Sequence, residues 1–298
     1  MTTVGFVGLG NMGGRMVQHL VGAGHEVAVH DVGDAAVARA VDTGARVAGS
    51  VGAVADGADV VFLSLPTPDV VESVVTELLT KADPGLVIVD HSTIDPGTTR
   101  ALADLASGVG VAFVDAPVSG GVQGADAGTL AVMTGGEPEA LDRVRPYLEL
   151  YAGRVFHIGG VGSGQTIKLV NNQVTASIIV ALGEGLSTAV AAGVDLDVAA
   201  SVLGAGSANS NVLSGYFPRT LFTEDRPTGF ALDFMHKDLG LFLEAADHVG
   251  LPVPLTSLVR DLFRIGQRDG RGASDFTSVV EFYEDFTGIR LQTTWGAQ

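Results

Sequence analysis

Near its start the chain reads Val4-Gly5-Phe6-Val7-Gly8-Leu9-Gly10-Asn11-Met12-Gly13. An apolar strand pattern runs there into the spacing Gly-x-Gly-x-x-Gly, and an amphipathic helix pattern begins at the last glycine. In such a loop Gly8 permits a tight turn, Gly10 lets a pyrophosphate approach the backbone, and Gly13 lets helix and strand pack closely. The alternative is a plain glycine-rich turn, because a chain with 41 glycines matches short glycine patterns by chance. The stretch predicts a dinucleotide-binding loop with contacts from Gly8, Gly10, Asn11, Met12 and Gly13.

Outward from this loop, the first part of the chain alternates apolar runs with helix-length segments. The runs are rich in Val and end at Gly, Pro, Asp or Ser, as strands do. Several are apolar throughout, which is typical of parallel strands covered on both faces. The predicted strands are Val4–Gly8, Glu26–His30, Val60–Leu65, Leu86–Asp90, Val111–Ala116, Leu130–Thr134 and Val155–Ile158, with early helices at Gly13–Gly22 and Asp34–Thr43. This alternation predicts an α/β fold with a doubly wound, Rossmann-type sheet.

After Gly164 the pattern becomes helical. The segment from Gln165 to Ala192 is apolar nearly all round and predicts one long buried helix. Shorter helices are predicted at Asp233–Val249, Pro254–Arg268 and Ser278–Phe286. A glycine-rich stretch, 159–164, separates the two patterns. We therefore predict an α/β N-terminal domain over residues 1–162 and an all-α C-terminal domain over residues 163–298.

The composition excludes several classes of protein. A net charge of −17 argues against nucleic acid and anionic membranes as partners. The absence of cysteine excludes disulfides, thiolate catalysis and Cys-ligated metals, and no other ligand cluster predicts a metal. The longest apolar run, Val174–Gly183, is about half the roughly 20 residues of a membrane span, and Met1-Thr2-Thr3 carries no signal-peptide pattern. We expect a soluble, cytoplasmic protein.

Asp31 ends the second predicted strand, about 20 residues beyond the glycine loop. A carboxylate there can accept hydrogen bonds from ribose hydroxyls and would repel a 2′-phosphate. The residues that follow, Val32 and Gly33, supply no arginine to neutralise such a phosphate. Asp31 therefore favours NAD over NADP, although it could also be a turn former or a helix cap.

Two further segments end predicted strands on the side where ligands bind in open α/β sheets. Leu65 and Pro66 close one strand, and Thr93 follows another, so all three are predicted cofactor contacts. The alternative is that Ser92, Thr93 and Asp95 cap the next helix.

Only three of the 17 Lys and Arg residues are lysines. A lysine can lose its proton when buried, whereas an arginine cannot, so a rare lysine can mark a proton-transfer site. Lys81 fits an exposed loop. Lys168 lies on the long apolar helix, where helical spacing places it on one face with Asn172 and Thr175. This polar stripe predicts either a functional site or a lysine that reaches the surface with its amide neighbours bonded structurally.

The run Ser119-Gly120-Gly121 follows another predicted strand. Consecutive N–H groups without a nearby Cβ suit the capture of a carboxylate or a developing oxyanion. An ordinary hairpin or bulge turn is the alternative.

Five motifs in order resemble the 3-hydroxyisobutyrate dehydrogenase family of β-hydroxy acid dehydrogenases, which are related to 6-phosphogluconate dehydrogenase. The resemblance covers nearly the whole chain. The motifs are Gly8–Gly13, Ser92–Pro96, Asp115–Leu130, Gly162–Asn172 and Lys237-Asp238-Leu239-Gly240-Leu241.

The resemblance implies an NAD-dependent dehydrogenase that transfers hydride between a short, anionic β-hydroxy acid and the cofactor, in a Rossmann domain followed by a helical domain. It implies that Lys168 is the catalytic acid/base and that Ser119, Gly120 and Gly121 hold the substrate carboxylate. Asn172 assists in the substrate site, and Lys237 is directed towards the nicotinamide and the substrate. A homodimer or homotetramer is expected.

The sequence departs from the resemblance at two places. His91 stands where relatives often carry a small residue, and Val122-Gln123-Gly124 lies in a variable part of the pocket loop. Both leave the substrate open among 3-hydroxyisobutyrate, tartronate semialdehyde, succinic semialdehyde, sulfolactaldehyde and similar acids. An imine reductase is disfavoured because those enzymes usually replace the lysine. A non-enzymatic NAD-binding regulator is disfavoured because Lys168, Asn172 and Lys237 are all retained.

Overall fold

A computed structural model describes residues 3–296 of the chain. The chain divides between Leu169 and Val170 into two compact units. This division lies inside the long helix, and the predicted boundary at residue 162 stays a prediction.

The strands of the first unit are β1 (Thr3–Val7), β2 (Glu26–His30), β3 (Arg46–Val47), β4 (Val60–Leu63), β5 (Val87–Asp90), β6 (Ala112–Asp115), β7 (Val118–Ser119), β8 (Leu130–Gly135) and β9 (Ala152–Gly159). Its helices are α1 (Gly13–Gly22), α2 (Asp34–Asp42), α3 (Val51–Val54), α4 (Pro68–Leu79), α5 (Pro96–Ser107), α6 (Gly121–Ala127) and α7 (Pro138–Leu148).

The sheet is doubly wound, as predicted. Its strand order is β3-β2-β1-β4-β5-β6-β8-β7, and β9 pairs with β8. Strands β1 to β6 are parallel, whereas β8 runs antiparallel to β6 and β7. The direction of winding reverses between β1 and β4, so their carboxyl ends border the crevice where such sheets bind ligands.

Strand β4 shows why the central strands are apolar throughout. Val60 and Phe62 point into one buried cluster, whereas Val61 and Leu63 point into a second cluster on the other face. Each face is covered by helices, as parallel sheets require. The two-residue strands β3 and β7 were not predicted, because two residues cannot show a hydrophobic period.

The second unit is helical. After α8 (Ser163–Ala191), which begins in the first unit, the helices are α9 (Leu196–Ala205), α10 (Leu232–His248), α11 (Pro254–Arg268) and α12 (Glu281–Thr287). The predicted helix Ser278–Phe286 is divided, since Phe276–Val280 forms a 3₁₀ turn before α12 begins. Asp275 caps this turn through the Thr277 N–H.

Helix α8 is long and apolar enough to cross a membrane by length and composition, and 39% of its most apolar window is buried. The core helix of a soluble protein meets the same criterion. Ala176, Ile179 and Leu186 of α8 lie in the buried cluster of the helical unit.

Candidate functional site

The glycine loop joins β1 to α1 and has the geometry that the sequence predicts. Gly8 has a φ of +93°, and a Cβ there would lie 2.3 Å from the Ser64 carbonyl oxygen. At Gly13 a Cβ would lie 1.9 Å from the Gly8 oxygen, because helix and strand pack closely. At Gly10 a Cβ would meet no atom within 4 Å. The backbone at Gly10 is therefore open to an approaching group.

The surroundings of this loop fit a dinucleotide. Helix α1 has Met12 at its N-cap position with no side-chain cap, so the N-terminal N–H groups and the helix dipole can face an anion. A cavity of about 360 Å³ is lined by Gly10, Asn11, Arg15 and Arg39 among others. The guanidinium of Arg15 is paired with Asp126, another lining residue, at 2.6 Å, and Arg39 adds a second positive charge next to the loop.

Asp31 ties the end of β2 to the glycine loop. Its Oδ2 accepts a hydrogen bond from the Leu9 N–H at 2.6 Å, and its Oδ1 accepts one from the Gly33 N–H at 2.7 Å. A carboxylate has about four acceptor positions, so ribose hydroxyls can still bind. Contact with ribose stays a prediction.

Hydrogen bonds join the segments that follow β4 and β5. The Leu65 N–H donates to Ser92 Oγ at 2.9 Å, which brings Leu65 beside the segment that contains Thr93. The predicted alternative of helix capping applies to Asp95, whose Oδ1 accepts from the Thr98 N–H at 2.7 Å at the start of α5. Thr93 is half-buried at this edge, and Pro66 is exposed.

The Ser119–Gly121 loop joins β7 to α6, with Ser119 as the last residue of the strand and Gly121 as the first residue of the helix. Gly120 and Gly121 have φ values of +134° and +63°, which strongly favour glycine. A Cβ at Gly120 would also lie 3.1 Å from the Leu130 side chain. The backbone of this loop therefore depends on both glycines.

Asp115 anchors the beginning of α8 and was missed as a site residue. Its Oδ1 accepts from the Gly162 N–H at 2.7 Å, and its Oδ2 accepts from the Gln165 N–H at 2.9 Å. Burial raises the pKa of Asp115 to about 6, although its backbone hydrogen bonds act to lower it. Its place at the end of an apolar strand was a signal in the sequence.

Gln165 is fully buried in the first turn of α8. Its Nε2 donates to the Ser92 carbonyl at 2.7 Å, and its Oε1 accepts from the Ile94 N–H at 3.3 Å. Gln165 therefore attaches the first turn of α8 to both sides of Thr93.

Lys168 is one helical turn further along and is 9% exposed. Asn172, at i+4 on the same helix, is 5% exposed. The third member of the predicted stripe differs, because the Thr175 hydroxyl donates to the Asn171 carbonyl of its own helix at 2.8 Å. The buried polar pair on this face is therefore Lys168 and Asn172.

Asp238 on α10 links two of the predicted substrate residues. Its Oδ2 accepts from Asn172 Nδ2 at 2.6 Å. Its Oδ1 lies 3.0 Å from Lys237 Nζ, and the two groups form an ion pair. Asp238 is 1% exposed. In the sequence Asp238 is part of the Lys237–Leu241 motif, where no local pattern indicates its contact with Asn172.

Within residues 3–296 no group of three or more His, Cys, Asp or Glu side chains could hold a metal ion.

Two protein-family models match the chain. Residues 3–159 match the NAD-binding domain of 6-phosphogluconate dehydrogenase, and residues 162–283 match a model described as NAD-binding of NADP-dependent 3-hydroxyisobutyrate dehydrogenase. The matches together extend over both units.

Curated relatives and a solved structure agree with these models. The 3-hydroxyisobutyrate dehydrogenase of Pseudomonas aeruginosa is 38% identical over 95% of this chain and 99% of its own length. The NAD-dependent L-serine dehydrogenase of the same organism is 36% identical over 97% of this chain and its full length. The structure of Mycobacterium tuberculosis 3-hydroxyisobutyrate dehydrogenase with L-serine superposes with a TM-score of 0.88 at 37% identity, covering 95% of this chain and 99% of that one.

The fold and the glycine loop define an NAD-binding oxidoreductase of the doubly wound class. The chain belongs to the 3-hydroxyisobutyrate dehydrogenase family, whose members carry out NAD-dependent oxidoreduction of hydroxy acids. The predictions of family, fold class, enzyme class and NAD are thereby confirmed.

Proposed function

We propose that this enzyme interconverts a short, 3-hydroxyisobutyrate-like β-hydroxy acid and its semialdehyde, with Lys168 as general acid/base. The observation that carries the proposal is a buried lysine at i−4 from a buried asparagine on α8. Burial suits a lysine to proton transfer, because burial disfavours the charged form of its amine. NAD, when bound, supplies the hydride acceptor.

The chain's own groups divide the remaining tasks. The N–H groups of the Ser119–Gly121 loop hold the substrate carboxylate, and Lys168 Nζ takes the proton from the β-hydroxyl during oxidation and returns it during reduction. Asn172, fixed through Nδ2 by Asp238, orients the substrate. Lys237, paired with the same carboxylate, adds positive charge for the anionic substrate.

Cofactor contacts are proposed along the edge of the sheet. They come from the glycine loop, from Asp31, from Leu65 and Pro66, from Thr93 and from Lys237. Asp31 supports NAD over NADP, because its carboxylate would repel a 2′-phosphate. The alternative is that the enzyme discriminates only weakly between NAD and NADP, and the arginines beside the loop favour this alternative.

We also propose that the enzyme is a homodimer or homotetramer. Apolar side chains that repeat at helical spacing are exposed on two helices of the second unit: Val170 and Val174 on α8, and Val198 and Val202 on α9. Exposed apolar stripes of this kind favour association. A cytoplasmic location stays a prediction.

The substrate is tested by NADH formation across a panel of 3-hydroxyisobutyrate, L-serine, glycerate, 4-hydroxybutyrate and 2,3-dihydroxypropanesulfonate. The corresponding semialdehydes are tested with NADH. We expect the highest kcat/KM for a short β-hydroxy acid with NAD and a lower value with NADP. Reduction of imines but of no semialdehyde would contradict the proposal.

A further inference from the structure

The pairing of the chain with β5 ends at Ala116, three residues before Ser119. The Ala116 N–H donates to the Asp90 carbonyl at 2.8 Å and so continues the pairing of β5 and β6. Its carbonyl is bonded to a side chain instead, because His91 Nδ1 lies 2.6 Å from it. Pro117 follows; it has no N–H to donate, and its carbonyl accepts from the Met133 N–H of β8 at 3.0 Å. Between the pairing with β5 and the pairing with β8, the Ala116 carbonyl is therefore held by the His91 side chain.

The His91 ring is buried, and both of its nitrogens and one of its faces contact other groups. It is 4% exposed and stacks on Phe62, with ring centroids 5.6 Å apart and an interplanar angle of 3°. A carbonyl only accepts, so Nδ1 carries the proton, and Nε2 accepts from the Tyr151 hydroxyl at 2.9 Å. Burial lowers the pKa of His91 to about 4, so the ring is neutral at neutral pH.

Tyr151 also holds the other end of the same segment. Its carbonyl accepts from the Leu130 N–H at 3.2 Å. The Leu130 side chain lies 3.1 Å from the position of a Cβ on Gly120. His91 and Tyr151 are bonded to each other and contact both ends of the segment that carries the Ser119–Gly121 loop, Ala116 through the His91 side chain and Leu130 through the Tyr151 backbone carbonyl. Pairing of Val118 and Ser119 with β8 holds the segment between these ends.

We propose that His91 and Tyr151 are positioning residues that hold the Ser119–Gly121 loop in the conformation that binds the substrate carboxylate. The proposal rests on the proposed function and adds to it two residues that lie outside the loop. Neither residue takes part in proton transfer. Loss of either anchor therefore raises KM for the hydroxy acid and leaves kcat and KM for NAD nearly unchanged.

Two substitutions at His91 separate its two hydrogen bonds. In His91→Asn the amide nitrogen stands where Nδ1 stands and keeps the bond to Ala116. In His91→Gln the amide reaches the Nε2 position and keeps the contact with Tyr151 only. His91→Asn loses only the bond to Tyr151, as Tyr151→Phe does, so we expect the two variants to raise KM for the hydroxy acid by similar amounts, and by less than His91→Gln. In His91→Gln we expect KM to rise about threefold to tenfold, the effect of one lost buried hydrogen bond.

Tyr151→Phe has a matched control in the same core. Tyr147 also packs on Phe62, with ring centroids 6.2 Å apart, and its hydroxyl is not bonded to His91. We expect Tyr151→Phe to raise KM for the hydroxy acid and Tyr147→Phe to leave it unchanged. Thermal unfolding identifies the variants that remain folded. Amide hydrogen exchange of residues 118–124, without substrate, should be faster in Tyr151→Phe and His91→Gln than in their controls.

Equal KM values in folded His91→Asn and His91→Gln would overturn the proposal, as would unchanged KM and unchanged amide exchange in Tyr151→Phe. If the wild-type enzyme oxidises no hydroxy acid, the proposed function fails instead. The exchange measurement then still decides whether the two residues hold the loop.

Discussion

At Gly13 a Cβ atom would lie 1.9 Å from the Gly8 carbonyl oxygen, whereas at Gly10 it would meet nothing within 4 Å. Gly13 is required by the packing of the folded chain. Gly10 is required only if another molecule approaches the backbone. Two glycines of one motif therefore have separable roles.

We predict that Gly13→Ala lowers the free energy of unfolding by about 3 kcal/mol, the upper range for overpacking. Gly10→Ala should change it by less than about 1 kcal/mol and weaken NAD binding by about tenfold. Urea unfolding and calorimetric titration with NAD measure the two effects. Wild-type NAD affinity in Gly10→Ala would show that the cofactor does not approach this residue.

Single residues also mark the limit of prediction from the sequence. The glycine loop was predictable because its spacing is local. Asp238, Asp115 and His91 were not assigned roles, because their partners are remote in sequence. Asn172 lies 66 residues from Asp238, and Tyr151 lies 60 residues from His91. A local sequence pattern cannot indicate contacts between residues that are so far apart in the chain.

At the scale of elements, α8 connects the two units and carries Lys168. Its bounds were predicted to within a few residues, because its apolar pattern is long. The reason why α8 begins at Ser163 was not predictable from the sequence. Asp115 fixes the N–H groups of Gly162 and Gln165, and a Cβ at Gly164 would lie 2.3 Å from the Met133 carbonyl. Both constraints come from distant strands.

The anchor of α8 should be visible in the pH dependence of stability. The folded-state pKa of Asp115 is about 6, above the unfolded value of 3.8, so the folded state binds more protons between these pH values. The contribution of Asp115 therefore favours folding below about pH 4 and is lost as pH rises through 6. Between pH 4 and pH 7 the stability of the wild type relative to Asp115→Asn should fall by about 2 kcal/mol. Urea unfolding at several pH values measures this difference, and parallel curves would contradict the assignment.

At the scale of the whole molecule, the acidic chain is expected to associate through apolar helix faces of the second unit. We predict that the wild type elutes as a dimer or tetramer in size exclusion with light scattering. Val174→Glu should shift it towards the monomer, because a charge would be buried in the interface. The matched control is Val109→Glu, at an apolar residue of the first unit with similar exposure, 44% against 46%. A monomeric wild type would contradict this prediction.

Lys168 is proposed to transfer the proton in oxidation of a β-hydroxy acid. The most direct measurement is NADH formation by Lys168→Ala, with NAD affinity measured by calorimetry and exposed Lys81→Ala as the control. We predict that kcat falls by about 10²-fold to 10⁴-fold in Lys168→Ala, the range for loss of general acid–base catalysis, while NAD still binds. Lys81→Ala should retain the wild-type kcat. A near wild-type kcat in Lys168→Ala would show that Lys168 does not transfer the proton.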